Sequence, residues 1–385
     1  MMGAPCVIPT VCPVIVCCAA AKQQHMLLAL CVFVATTVRQ PPFGPTSTVR
    51  TALVNVSLED GVQRRVWANA GGRVYLLDAT LRELARSDEL AKDVNGIGLS
   101  LSGQDAIVST SHGLSLLTAA GKRNLAVQPV SGFASSLTAG RVADSIALVP
   151  GVESFVVAAH DTNSSVGMVL IVQLTRAGGR PSASVVASHA VGSAPFDAKM
   201  VVGNAIQSGG ARTIVASTAS SLIMLQLLPD GKLALQRTMP LPEGNDGFDL
   251  LTSGDSAGDL LAVVAADAKG FRIVNLRTGA LLSQTAVPGW SGSVRTADSF
   301  AIVAADPGLL LFDIALPSRP TRVAACALAG GTGWNLAIDP SSRLAFVAAA
   351  GGGLHAVTFV APALPVSYAH FGAGSSSPCN TTWPE

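Results

Sequence analysis

Ser299-Phe-Ala-Ile-Val-Ala-Ala-Asp306-Pro-Gly308-Leu-Leu-Leu-Phe-Asp313-Ile-Ala-Leu-Pro317-Ser-Arg-Pro320-Thr-Arg-Val323 is the stretch that decides the fold. Two short apolar runs are split by an Asp-Pro-Gly turn and closed by a proline-bounded polar turn. Runs this short, rich in Val, Ile, Ala and Phe and punctuated by Gly and Pro, read as strands. The same shape recurs on both sides. Ala262-Val-Val-Ala-Ala-Asp267 precedes Phe271-Arg-Ile-Val-Asn275, Leu344-Ala-Phe-Val-Ala348 precedes Leu354-His-Ala-Val-Thr358, and Val66-Trp-Ala-Asn69 precedes Val74-Tyr-Leu-Leu-Asp78. Weaker copies pair Ala106-Ile-Val-Ser109 with Leu114-Ser-Leu-Leu117, Phe155-Val-Val-Ala158 with Met168-Val-Leu-Ile171, and Thr213-Ile-Val-Ala216 with Leu222-Ile-Met-Leu225.

Positions 67, 108, 157, 215, 264, 303 and 347 are equivalent, so the mean step is about 47 residues. Propeller blades of four strands have this period; helical solenoids share it but need two helices per unit. The reading is an all-β, seven-bladed propeller of four-stranded antiparallel blades, over residues 41–372. One small sheet cannot bury both faces, whereas radial stacking covers each face with its neighbour. The first blade is read as 53–58, 66–70, 74–78 and 84–86, and the last as 335–338, 344–349, 354–359 and 366–370. With both end blades complete, closure rests on side-chain packing; alternatively residues 49–58 serve the last blade as its outer strand.

Composition agrees. The 385 residues are 49% hydrophobic and 13% charged, mean hydropathy is +0.47, and 38 glycines and 22 prolines supply turns. Two buried faces per blade account for the hydropathy without lipid. A net charge of +1 argues against a nucleic-acid surface, which needs clustered positive charge. Thr213–Pro229, an uncharged stretch in the middle of the body, carries Ser217, Thr218, Ser220 and Ser221 and reads as two strands and a turn.

Residues 1–40 are a separate object. Gly3–Ala21 carries no charge, Lys22 and His25 follow, and Met26–Val38 is a second apolar run. Nineteen apolar residues can cross a bilayer, although Pro9 and Pro13 interrupt this run as a helix. The second run fits the apolar core of a signal peptide, with Ala35-Thr36-Thr37 as a cleavage neighbourhood. The expectation is a signal peptide or signal anchor and a secreted or membrane-anchored propeller; Met26 could also open the chain. Residues 373–385 form a C-terminal tail.

Five of the seven cysteines (Cys6, Cys12, Cys17, Cys18, Cys31) lie in this leader. Cys326 and Cys379 remain, and in an exported chain they are a candidate disulfide. Asn55, Asn163 and Asn380 open N-glycosylation sequons that matter only if the chain is exported.

The stretch from Ser299 to Val323 resembles an LVIVD repeat: an aromatic-Ala-x-Val-Ala strand, Gly-Leu, an apolar run ending in Asp, then Pro-x-x-Pro. The resemblance implies a β-propeller, of a kind often exported and without a defined activity. Trp334-Asn-Leu-Ala-Ile-Asp-Pro340-Ser-Ser-Arg-Leu-Ala-Phe-Val347 is also similar to YVTN/lactonase-like propellers. Likeness spans roughly residues 50–370, strongest in the sixth and seventh blades; blades two to four lack the terminal Asp and the Pro-x-x-Pro turn.

Propeller chemistry sits in the axial channel or on the loop face, where side chains of all blades converge. Asn95, Asp144, Asp197, Asp249, Asp298 and Asn335 stand near the expected starts of inner strands, as channel candidates or as ordinary turn residues. Asn245-Asp246-Gly247-Phe-Asp249, with Asp255 and Asp259, is the densest acidic patch but lacks calcium-loop spacing. Trp67, Trp290 and Trp334 occupy related places in three blades, as core packing or as a stacking platform. No phosphate loop, paired-histidine motif or zinc spacing occurs, and no catalytic, metal or cofactor residue is assigned. Two functions follow. One is a non-catalytic scaffold binding a protein or glycan on its loop face. The other is a lactonase-like hydrolase or a dehydrogenase, with at least three carboxylates or histidines converging on one channel mouth.

Overall fold

In the computed structural model the runs described above are strands, because their small and β-branched residues pack well on a pleated surface. The structure describes residues 33–37 and 51–359, apart from 59–60, 71, 79–81, 91–93, 111–112, 120–123, 132, 134–140, 150–151, 162–165, 178–179, 194, 203–211, 253–258, 307, 329–332, 340–342 and 350–352. The strands are β1 (Phe33–Thr37); β2 (Thr51–Leu58), β3 (Gly61–Ala70), β4 (Arg73–Asp78) and β5 (Glu83–Arg86); β6 (Val94–Leu99), β7 (Asp105–Thr110), β8 (Gly113–Thr118) and β9 (Ala126–Pro129). They continue with β10 (Arg141–Leu148), β11 (Ser154–Asp161), β12 (Gly167–Ala177) and β13 (Arg180–Gly192), then β14 (Pro195–Val202), β15 (Arg212–Thr218), β16 (Ser221–Leu227) and β17 (Leu233–Pro240). The remainder are β18 (Phe248–Thr252), β19 (Leu260–Ala265), β20 (Phe271–Asn275) and β21 (Leu281–Thr285); β22 (Ser291–Ala297), β23 (Phe300–Ala305), β24 (Gly308–Asp313) and β25 (Thr321–Ala327); and β26 (Gly333–Asp339), β27 (Leu344–Ala349) and β28 (Gly353–Phe359).

They form seven four-stranded antiparallel sheets. Six are local meanders, β2 to β5 through β22 to β25, which are blades one to six. The expected fold and blade count hold. Thr213–Pro229 is the β15–β16 hairpin as read.

Seven hydrophobic clusters hold the ring, and each is shared by two adjacent blades. Strand alternation produces this sharing. In β19, Ala262 and Val264 point into the cluster with blade four, while Leu261, Val263 and Ala265 point into the cluster with blade six. Near the axis blades crowd. A Cβ on Gly98 of β6 would lie 2.4 Å from the Ile146 side chain of β10, so only glycine fits there.

Ring closure differs from both expectations. β2 pairs with β3 as the inner strand of blade one and does not serve the last blade. The seventh blade takes its fourth strand from β1, in the order β1-β28-β27-β26. Ala35 of β1 stands opposite Val357, and Phe33 opposite Phe359. The expected strand 366–370 lies outside the described residues. No helix among the described residues is long and apolar enough to cross a membrane.

Candidate functional site

The inner strands carry a recurring irregularity. Their register slips by one residue at Asn95 in β6, Asp144 in β10, Phe196 in β14, Gly292 in β22 and Trp334 in β26. A bulge re-aims the side chains beside it. Five blades therefore bend their innermost strand in the same way, and four of the six channel candidates lie in a bulge or directly after it.

The polar groups that meet lie on consecutive inner strands of blades three to six. Asp197 follows the β14 bulge. Its Oδ1 accepts from Ser145 Oγ of β10 at 2.5 Å, and its Oδ2 accepts from the Phe248 N–H of β18 at 3.3 Å. Lys199 stands two residues on, hence on the same face. Its Nζ lies 3.0 Å from Asp249 Oδ1 and 3.7 Å from Asp197 Oδ2, donates to the Phe248 carbonyl, and sits 5.1 Å from the centre of the Phe248 ring. Asp249 Oδ2 accepts from the Thr296 N–H at 2.7 Å and from Thr296 Oγ1 at 3.0 Å, both on β22. One chain of bonds thus runs Ser145, Asp197, Lys199, Asp249, Thr296 through four blades.

Its electrostatics are settled. Burial alone would raise the Asp249 carboxyl. The Lys199 and Arg295 charges, with hydrogen bonds from the Thr296 N–H and from Lys199, outweigh burial and hold it below the ordinary aspartate range. A general acid or base near neutrality needs the opposite shift. Asp249 is therefore a fixed anion that ties β18 to β14 and β22.

The other candidates separate. Asp298 is exposed at the β22–β23 turn with φ +52°, at the end of the inner strand and not its start. It is a turn residue, as Asp tolerates that conformation. Asn335 directly follows the β26 bulge, and its Oδ1 is buried without a hydrogen-bond partner among the described residues. Asn95 and Asp144 are bulge positions. Asp197 and Asp249 share one cation, whereas the arrangement described for an enzyme asks for three such groups at one channel mouth; the side chains of Asn95 and Asp144 lie outside the described ones. No group of three or more His, Cys, Asp or Glu placed to hold a metal ion occurs among the described residues.

The acidic patch divides into unrelated tasks. Asn245 Oδ1 accepts from the guanidinium of Arg272, and Asp246 Oδ1 accepts from the Gly247 N–H at 2.9 Å. Asp259 is held low by hydrogen bonds from Arg277 and Asn275. Asp255 lies outside the described residues. Arg272 is the feature that sequence reasoning passed over. It is 0% exposed, and its guanidinium donates to the carbonyls of Pro242 and Glu243 and to the side chains of Asn245 and Gln284. Its one signal is a charge in the middle of an apolar strand, Phe271-Arg-Ile-Val. Lys199 was equally missed, although Asp197-Ala-Lys199 places two opposite charges on one strand face.

The tryptophans are not equivalent. Trp67 is fully buried in the cluster of blades one and two, with its indole N–H 3.3 Å from the Gly103 carbonyl. Trp290 lies in the β21–β22 loop with its ring over Gly292, and Trp334 is a bulge residue. Asn55 is mid-strand in β2, paired with Arg64 of β3, whereas a glycan acceptor belongs on a loop. Asn163 and Asn380 lie outside the described residues. Cys326 is fully buried between blades six and seven and disulfide-bonded; every other cysteine, Cys379 included, lies outside the described residues.

No family model matches the chain, and no curated protein matches it. Solved structures do. A chain of the Kuenenia stuttgartiensis hydrazine synthase has a TM-score of 0.53 at 12% identity, covering 76% of this chain and 91% of its own. The WD40 β-propeller domain of Doa1 has a TM-score of 0.55 at 11% identity, covering 85% of this chain and 97% of its own. At such identity the likeness shows the fold alone. With 1049 solved chains matching, it selects no function.

Proposed function

We propose that the protein is a non-catalytic propeller of LVIVD-like type, exported or tethered to a membrane, that binds a protein or glycan on its loop face. One observation carries the reading. The channel carboxylates Asp197 and Asp249 are each occupied by donors from neighbouring blades, and Asp249 is held as an anion. Groups so engaged stiffen a ring and are ill suited to shuttle protons. The disulfide at Cys326 supports an oxidising compartment, where such bonds persist. The WD40 propeller domain of Doa1 supports nothing beyond the architecture.

The test is direct. Fractionation of cells expressing the full chain, with a glycosidase mobility shift, is expected to place it in a membrane or extracellular fraction. Incubated with a panel of lactones and esters, the purified protein is expected to give no turnover. Turnover abolished by Asp249→Asn in a folded protein would replace this reading with the hydrolase.

A further inference from the structure

We propose that Phe33–Thr37 is a permanent strand of the folded propeller, so that any proteolytic removal of the leader stops before Phe33. The sequence offers the run Met26–Val38 two uses that exclude one another. As the apolar core of a signal peptide with a cut beside Ala35-Thr36-Thr37, it leaves the mature chain. As β1, it completes the seventh blade.

The pairing decides between them. Phe33, Val34, Ala35 and Thr37 stand opposite Phe359, Thr358, Val357 and Ala356 of β28. Blades one to six each take their outer strand from the chain that directly follows their third strand; blade seven takes its own from the other end of the sequence. Among the described residues no other strand covers that edge of β28. Without β1 the blade would have three strands. β28 would then expose a row of unpaired N–H and C=O groups beside Leu354, Ala356, Val357 and Phe359, which are at most 6% exposed in the intact ring. Such an edge is a template for pairing with another chain. Retaining β1 passes the targeting role to Gly3–Ala21, which is uncharged and long enough for it. The proposal rests on the exported reading only for its cleavage clause; the strand itself is independent of compartment.

Two measurements test it on the full-length chain. Intact mass and N-terminal sequencing of protein recovered from a secretory host are expected to give a start at or before Phe33. A folded monomer starting anywhere from Val34 to Arg39 would overturn the proposal and leave export standing. The second measurement compares Val34→Pro with Ala35→Pro. Adjacent strand residues point their N–H groups to opposite sides, so one of the two prolines must delete a ladder bond to β28. That variant is expected to lower the thermal midpoint by at least about 2 °C and to hasten protease cleavage near the C-terminal blade. If neither proline moves the midpoint or the cleavage rate, β1 is not part of the ring.

Discussion

The junction of blades four and five and the junction of blades seven and one solve the same packing problem with different chemistry. Between seven and one the cluster is Val66, Ala68, Tyr75, Leu77, Phe346, Ala348, Leu354 and Ala356, almost wholly aliphatic and aromatic. Between four and five a comparable apolar cluster is flanked by two charged devices. Lys199 bridges to Asp249 on the axis, and Arg272 reaches from blade five into the carbonyls of the β17–β18 connection. Apolar packing is non-directional and tolerates small slips of one blade on the next. Bonds of fixed geometry do not. The ring thus has a sector set in one register by polar ties and a closing sector held by area and by strand pairing.

That contrast can be broken from either side. Phe346→Ala should have the largest effect, about 4 kcal/mol by denaturant titration, because it empties a fully buried site in the closing cluster. A loss below about 1 kcal/mol would mean that the closing junction carries little of the stability. Arg272→Leu should lose about 3 kcal/mol, since buried Asn245 would lose its donor and the part-buried carbonyls of Pro242 and Glu243 theirs. Hydrogen exchange should rise specifically across 242–246 in that variant.

Lys199→Met should lose about 2 kcal/mol and also change the acid limb of stability. Asp249 has a depressed carboxyl in the folded state. Its contribution is therefore present above the ordinary aspartate value of 3.8 and is lost as pH falls below it. Without Lys199 the folded value moves up, so the loss is complete at a less acidic pH. An acid limb identical to wild type would show that the Lys199–Asp249 bond is absent in solution. The smallest effect is expected for Asp298→Gly, within about 0.5 kcal/mol, as befits an exposed turn residue in the left-handed region. A large loss there would return Asp298 to the list of functional candidates.

Legibility followed the physics of each feature. The strands of the sixth blade were plain because Phe-Ala-Ile-Val-Ala-Ala and Leu-Leu-Leu-Phe-Asp are local signals bounded by turn residues. Asp249 and Asp197 were named, yet their meaning lay in Lys199, Thr296 and Ser145, which reach them from 50, 47 and 52 residues away. Asp298 was misplaced because an Asp at the end of a short strand and one at the start of the next look alike in sequence. The bulges at Asn95, Asp144 and Trp334 left no trace, since an extra residue in one strand is defined only against its partner.

Sequence alone determined the all-β class and the seven sectors, because period, patterning and turn chemistry act within a few residues of one another. Which strand closes the ring, which acids share a cation, and why Arg272 tolerates burial were decided only in three dimensions. Those are pairings between distant segments, and their free energy depends on a geometry that no single segment contains.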